Sequence, residues 1–235
     1  MDATFSGFCA GCVARPDICP LAQNFTAAQL EETIYAFIDA IKYDPFPLGG
    51  TVIDYNLVKN YIAYRLYFPN TWPKLATLMY GIMTGNVSVL TELAATSNAA
   101  PASGSSFAEA PSGIKCSDVL SYTNVLDEKR DVFRGRLEKS RIGGDAADAT
   151  VARCSQWRMP AKERYDGDFK VQTKNPMLII GNTFDPVTPL ISARNLSETI
   201  DTSVLLQHDS YGVSLPCTSN IRCITDPPMT YSTTA

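Results

Sequence analysis

The stretch "NPMLIIGNTFDPVTPL", residues 175–190, decides the reading of the fold. It opens on a continuous apolar run, Met177-Leu178-Ile179-Ile180, of the kind expected of a strand buried on both faces of a parallel sheet. Gly181 to Pro186 read as a turn, and Thr188 and Pro189 as the N-cap and first position of a helix over "LISARNLSETI". "SVLLQHDS" is the next strand, so the segment forms one α/β crossover unit. In open parallel sheets the functional groups sit on loops beyond the C-terminal strand ends, and Asp185 occupies such a loop. Pro186 holds the residue before it in extended backbone, which aims the carboxylate at a fixed place. Spacing alone supports equally a carboxylate that only hydrogen-bonds its own turn.

Upstream the chain reads as mostly helical. "FTAAQLEETIYAFIDAIK" repeats Leu30, Ile34, Phe37, Ile38 and Ile41 at helical spacing, with Thr26 and Gln29 as a capping box. "DPFPLGG" breaks it, "DYNLVKNYIAYRLYF" is a second helix stopping at Pro69, and Thr71 caps a third over "WPKLATLMYGIMTG". A short helix is expected from Ser88 to about Ala95. Residues 94–113, small and polar with prolines, read as a flexible linker. Ser106 in "GSSFA" lacks the strand and helix that a nucleophile elbow needs on either side. "TNVLDEKRDVFRGRLEKSR" is a helix with a solvated charged face, and "GGDAADATVARCSQW" a shorter one ending near Cys154.

Composition narrows the classes. Of 235 residues, 45% are hydrophobic and 19% charged, enough for a sizeable core. A net charge of −4 argues against a nucleic-acid partner, which needs a basic face. No apolar run approaches the length of a membrane span, and "MDATFSGFCAGC" lacks the basic and apolar regions of a signal peptide. Seven cysteines, three of them in "FCAGCVARPDIC", fit disulfides better than metal, since the chain has one histidine and no second CxxC. Three Asn-x-Ser/Thr sequons begin at Asn24, Asn86 and Asn195.

"NPMLIIGNTFDPVTPLISARNLS" resembles the C-terminal segment of the secreted α/β-hydrolase-fold serine peptidases, the tripeptidyl-aminopeptidase-like group of the proline-iminopeptidase clan. "GFCAGCVARPDICPLA", "GTVIDYNLVKNYIAYRLYFPNTWPKLATLM", "IKCSD" and "CSQWRMPAKERYDGDF" resemble, in order, the stretches of that family that follow the nucleophile and build its helical cap. The resemblance runs from about residue 5 to Gly212. It implies an α/β class and an incomplete α/β-hydrolase fold, a mostly helical cap followed by the last strand-helix-strand of the sheet. It implies disulfides pairing Cys12 with Cys19 and Cys116 with Cys154. Asp185 becomes the triad acid, which holds the Nδ1 proton of a histidine while a serine attacks a peptide, ester or amide carbonyl. The family releases short peptides from free N-termini, outside the cell and without a cofactor.

The chain departs from that pattern in two places. It contains no Gly-x-Ser-x-Gly, so the nucleophile is expected upstream of Met1, in a missing N-terminal half that is then a partner. Where the family runs "DSYG" into its histidine, this chain has Val213, and residues 213–235 read as an unstructured, divergent tail. An abrupt end to the resemblance at one residue suggests a frame change or retained intron. His208 lies five residues before the family's position and reads as an exposed strand-end side chain. The expected organisation is a disulfide-loop remnant over 1–25, a helical cap over 26–165, an α/β segment over 170–212 and the tail. As it stands the chain reads as inactive, and a lone crossover unit leaves an open sheet edge and an uncovered apolar face. A stand-alone helical binding protein and a non-catalytic paralogue are the alternatives. An ammonium-binding carboxylate for an aminopeptidase substrate is a possible role of Asp54, which serves better as a helix cap.

Overall fold

A computed structural model describes residues 1–86, 88, 109–118, 122–123, 125, 127–145, 148–168, 170–213 and 231–234. The chain divides into two compact units, one of Met1–Leu93 with Asp168–Ala235, the other of Ala94–Gly167.

The first unit begins with a helix where a disulfide loop was expected: α1, Asp2–Ala14. It buries Phe5, Phe8, Cys9 and Cys12, with Gly7 and Gly11, on most of its circumference. A helix buried nearly all round carries no apolar stripe, so periodicity does not reveal it. The Cys12–Cys19 disulfide ties the end of α1 to the following turn. Helix α2, Ala27–Ile41, starts at the expected capping box, in which Thr26 and Gln29 satisfy each other's backbone N–H groups. The break after α2 is a hairpin of β1, Phe46–Leu48, and β2, Thr51–Ile53, paired antiparallel. Its two-residue loop is Gly49-Gly50, both at positive φ, as the primed hairpin turns demand. Helix α3, Tyr55–Leu66, is capped by Asp54, whose Oδ1 accepts the Leu57 N–H at 2.8 Å.

A short 3₁₀ turn, Pro69–Thr71, leads into α4, Trp72–Thr84. Thr71 sits at the N-cap position but does not cap: its hydroxyl donates to the carbonyls of Phe68 and Arg65. The 3₁₀ turn takes the hydroxyl that a free N-cap would aim at the helix. The short helix expected over Ser88 to Ala95 lies outside the described residues, Ser88 apart.

The sheet of this unit has the order β3–β4–β5. Strand β3, Met177–Phe184, pairs parallel with β4, Ser203–Tyr211, and the crossover helix α8 covers Leu190–Thr199. Strand β3 runs on through the residues expected to turn, so the turn begins only at Asp185. The helix begins one residue later than expected, with Pro189 as N-cap. Burial on both faces of β3 is not observed. Ile179, Ile200 and Leu205 pack with Ala193 of α8, while Leu178 and Ile180 are 61% and 62% exposed. Among the described residues, the face opposite α8 has no covering layer and β3 has no partner strand along its outer edge. In the tail expected to be coil, Tyr231–Thr234 form β5, antiparallel to β4. Cys217 and Cys223 lie outside the described residues.

The helices meet the strand ends through aromatic rings. Phe8 meets Trp72 edge-on at 5.8 Å, Trp72 meets Tyr211 at 5.4 Å, and Tyr211 stacks on Phe184 at 4.4 Å. Gly7 makes this possible, because a Cβ there would lie 2.1 Å from the Tyr211 ring. The free thiol of Cys9 is fully buried in α1, and burial, assisted by the charge of Glu31, raises its pKa. Cys9 is therefore expected to resist a thiol-reactive disulfide reagent at pH 8 in the native chain and to react fully in denaturant. A fast native reaction at Cys9 would contradict its placement.

The second unit, described by itself, is helical: α5, Glu109–Asp118; α6, Asp127–Lys139; α7, Asp148–Ser155. Helix α5 takes up the last residues of the stretch expected as linker, Glu109 to Gly113. Pro111 is tolerated there because first-turn N–H groups have no intrahelical acceptor. The Cys116–Cys154 disulfide joins α5 to α7, as the resemblance implied. The charges of α6 form exposed i,i+3 pairs, Arg130 with Asp127 and Arg134 with Asp131, each worth little in water.

Candidate functional site

Asp185 follows the last residue of β3 and is 5% exposed. Its carboxylate is held by its own turn. Oδ1 accepts the backbone N–H groups of Val187 and Thr188, both at 2.8 Å. Oδ2 accepts the Thr188 hydroxyl at 2.8 Å. Thr188, expected to cap α8, instead anchors the acid. A carboxylate offers about four lone-pair sites. Three are used, and the remaining one lies on Oδ2.

The first turn of α1 closes on the same strand end. The Thr4 hydroxyl donates to the Phe184 carbonyl at 3.0 Å. Met1 is near enough for the negative charge of Asp185 to act on its ammonium, whose pKa burial lowers and the charges of Asp2 and Asp185 raise. The carboxylate thus sits between α1, the end of β3 and the start of α8.

A cavity of about 460 Å³ opens beside it, with Asp185, Thr188, Asn182 and His208 among its polar lining and Ile180 and Leu196 among its apolar lining. His208 is not an exposed strand-end residue. It lies within β4, opposite Asn182 of β3, and is half-buried. A connected set of hydrogen bonds bears on its tautomer. Asn182, 8% exposed, donates from Nδ2 to the Gly212 carbonyl at 2.7 Å, which leaves its Oδ1 as an acceptor. Ser210 spends its hydroxyl proton on that oxygen at 2.9 Å. At its 3.2 Å contact with His208 Nδ1 the same hydroxyl then has lone pairs to offer, an arrangement that favours the neutral imidazole protonated on Nδ1. Nδ1 contacts Ser210, whereas all three hydrogen bonds to Asp185 come from its own turn. The two residues share a cavity wall without forming an acid–imidazole pair.

His208 is the sole histidine, so this is directly readable. Long-range ¹⁵N–¹H correlations at alkaline pH are expected to show a protonated Nδ1 and an unprotonated Nε2. Ser210→Ala is expected to release the imidazole into a mixture of tautomers. A predominantly Nε2-protonated ring in the unmodified chain would overturn the relay. Asn182 and Ser210 went unmarked in the sequence, although 208 and 210 share one face of β4 by strand alternation.

Asp54 and the cysteines take the places expected of them. Asp54 commits Oδ1 to capping α3, and its cavity, about 410 Å³, is lined also by Lys42, a poor setting for an ammonium ligand. Cys12 pairs with Cys19 and Cys116 with Cys154. No group of metal-ligating side chains occurs among the described residues.

Residues 140–235 match the model of the family described as TAP-like protein, an α/β-hydrolase domain. The match supports an α/β-hydrolase-family relationship for this chain, and the mixed helix and sheet architecture agrees with it. It continues through residue 235, past Gly212, where the sequence reading placed the end of the resemblance. No curated protein matches the chain.

Proposed function

We propose that these residues form the C-terminal part of a secreted serine hydrolase resembling the tripeptidyl aminopeptidases, and that Asp185 is the acid of its Ser–His–Asp triad. The observation that carries the reading is the carboxylate itself: buried at the C-terminal end of a parallel strand, fixed by three hydrogen bonds, with one acceptor site left on Oδ2. An imidazole N–H placed there is held in one tautomer, and the carboxylate stabilises the imidazolium formed when the serine loses its proton. The substrate class is a peptide, or a small ester or amide. No cofactor is called for, because acyl transfer through a serine ester needs only the nucleophile, the base and an oxyanion site.

The serine and the triad histidine come from outside these residues. His208 is not read as the triad imidazole, since its Nδ1 contacts Ser210 while the hydrogen bonds to Asp185 come from Val187 and Thr188. The uncovered face of β3 and β4 supports the same reading: Leu178, Ile180 and Val204 form an apolar surface of the kind that a further layer covers in a doubly wound sheet. The test is complementation. Co-expression of the chain carrying Val213→His, which supplies an imidazole where the resemblance places it, with an upstream segment carrying strand, Gly-x-Ser-x-Gly and helix is expected to give hydrolysis of an aminoacyl or tripeptidyl nitroanilide or a nitrophenyl ester. Co-purification of the two segments without hydrolysis, with the Val213→His imidazole in place, would sink the catalytic reading.

A further inference from the structure

We propose that Asn24 is the acceptor of an N-linked glycan. The proposal stands apart from the hydrolase reading and does not use Asp185. Three Asn-x-Ser/Thr sequons are present, and the structure separates them. Asn24 is exposed, lies in the connection between the Cys12–Cys19 loop and α2, and adopts φ 63°, the left-handed backbone typical of a surface turn. Its carboxamide makes no hydrogen bond with the described residues. Asn86, by contrast, engages its Oδ1 with the Ser88 N–H at 3.0 Å. Asn195 lies inside α8, where its backbone is held helical rather than in a surface turn.

The redox setting agrees. Cys12–Cys19 and Cys116–Cys154 are disulfides, which form and persist in oxidising compartments. The same compartments are where sequons of surface loops receive sugar. Asn24 is five residues beyond Cys19, so the nearer disulfide and the acceptor share one stretch of chain.

The modification is a group transfer without redox change. Asn24 Nδ2 bonds to the anomeric carbon of an oligosaccharide carried on a lipid diphosphate. The bond from that carbon to the diphosphate oxygen breaks, the lipid diphosphate leaves with the electron pair, and Nδ2 gives up one proton. A neutral, hydrated sugar then sits beside the entrance to α2, at a position where no neighbouring side chain needs the carboxamide.

The experiment uses the full chain produced behind a cleavable secretion leader in a eukaryotic host. Treatment with a glycan-releasing amidase in ¹⁸O-water converts each occupied asparagine to labelled aspartate, read by peptide mass mapping. Label at Asn24 is the expected result. Asn24→Gln is expected to remove one glycan mass while leaving the α2 cap intact. Thr26→Ser, which keeps both sequon and cap, is expected to retain it. An unlabelled Asn24 overturns the proposal, whatever the state of Asn86 and Asn195, as does label at Asn24 that persists in Thr26→Ala.

Discussion

Asparagine in place of Asp185 is expected to lower kcat by about 10⁴-fold, with KM little changed, in the hydrolase completed by its serine and histidine segments. The carboxamide of this Asp185→Asn variant still offers one oxygen to the N–H groups of Val187 and Thr188, so the turn is kept. What it loses is the anionic acceptor on Oδ2, and with it both the imidazole tautomer and the charge that stabilises imidazolium. The variant therefore separates two roles that spacing alone leaves equal. If Asp185 merely holds its turn, kcat stays within a few-fold of the parent, and only the melting temperature moves. The measurement is a steady-state comparison of the two completed enzymes, with circular dichroism to confirm the fold.

Trp72→Ala is expected to destabilise the first unit by about 3–5 kcal/mol, read as a lower denaturation midpoint in urea. Trp72 is fully buried and touches Phe8 of α1 and Tyr211 of β4, so its loss opens a cavity where helices and sheet meet. Trp72→Phe is expected to cost far less. The indole N–H makes no hydrogen bond among the described residues, so phenylalanine removes volume but strands no polar partner. Equal losses for the two variants would mean that the position depends on something other than packing.

Legibility in the sequence followed the physics of each element. Helices α2 and α4 were readable because each has polar and apolar sides, and α3, buried on most of its circumference, because Asp54 and Pro69 mark its two ends. Helix α1 was not, because burial on most sides erases the stripe that periodicity detects. The hairpin went unread because two three-residue strands are too short to alternate visibly, although Gly49-Gly50 marked its turn. The crossover of β3, α8 and β4 was legible from an apolar run followed by a proline-bounded turn. The exposure of Leu178 and Ile180 was not, since a run of apolar residues states what a strand is suited to, not whether a layer covers it. At the site, Asp185 could be found from its place after a strand. The Asn182–Ser210–His208 relay could not, because it joins residues 28 and 30 positions apart through a register that only the paired strands define.

The two disulfides each close within one compact unit, and among the described residues no covalent bond other than the backbone links the units. Reduction should then act as a selective scalpel in calorimetry. The Cys116–Cys154 loop, with a sequence separation of 38, restrains its unfolded unit by about 4 kcal/mol on a chain-entropy estimate, and the Cys12–Cys19 loop, with a separation of 7, by about 2. A thiol reductant is expected to pull the endotherm of the helical insert to lower temperature by more than that of the sheet-bearing body, turning one broad transition into two.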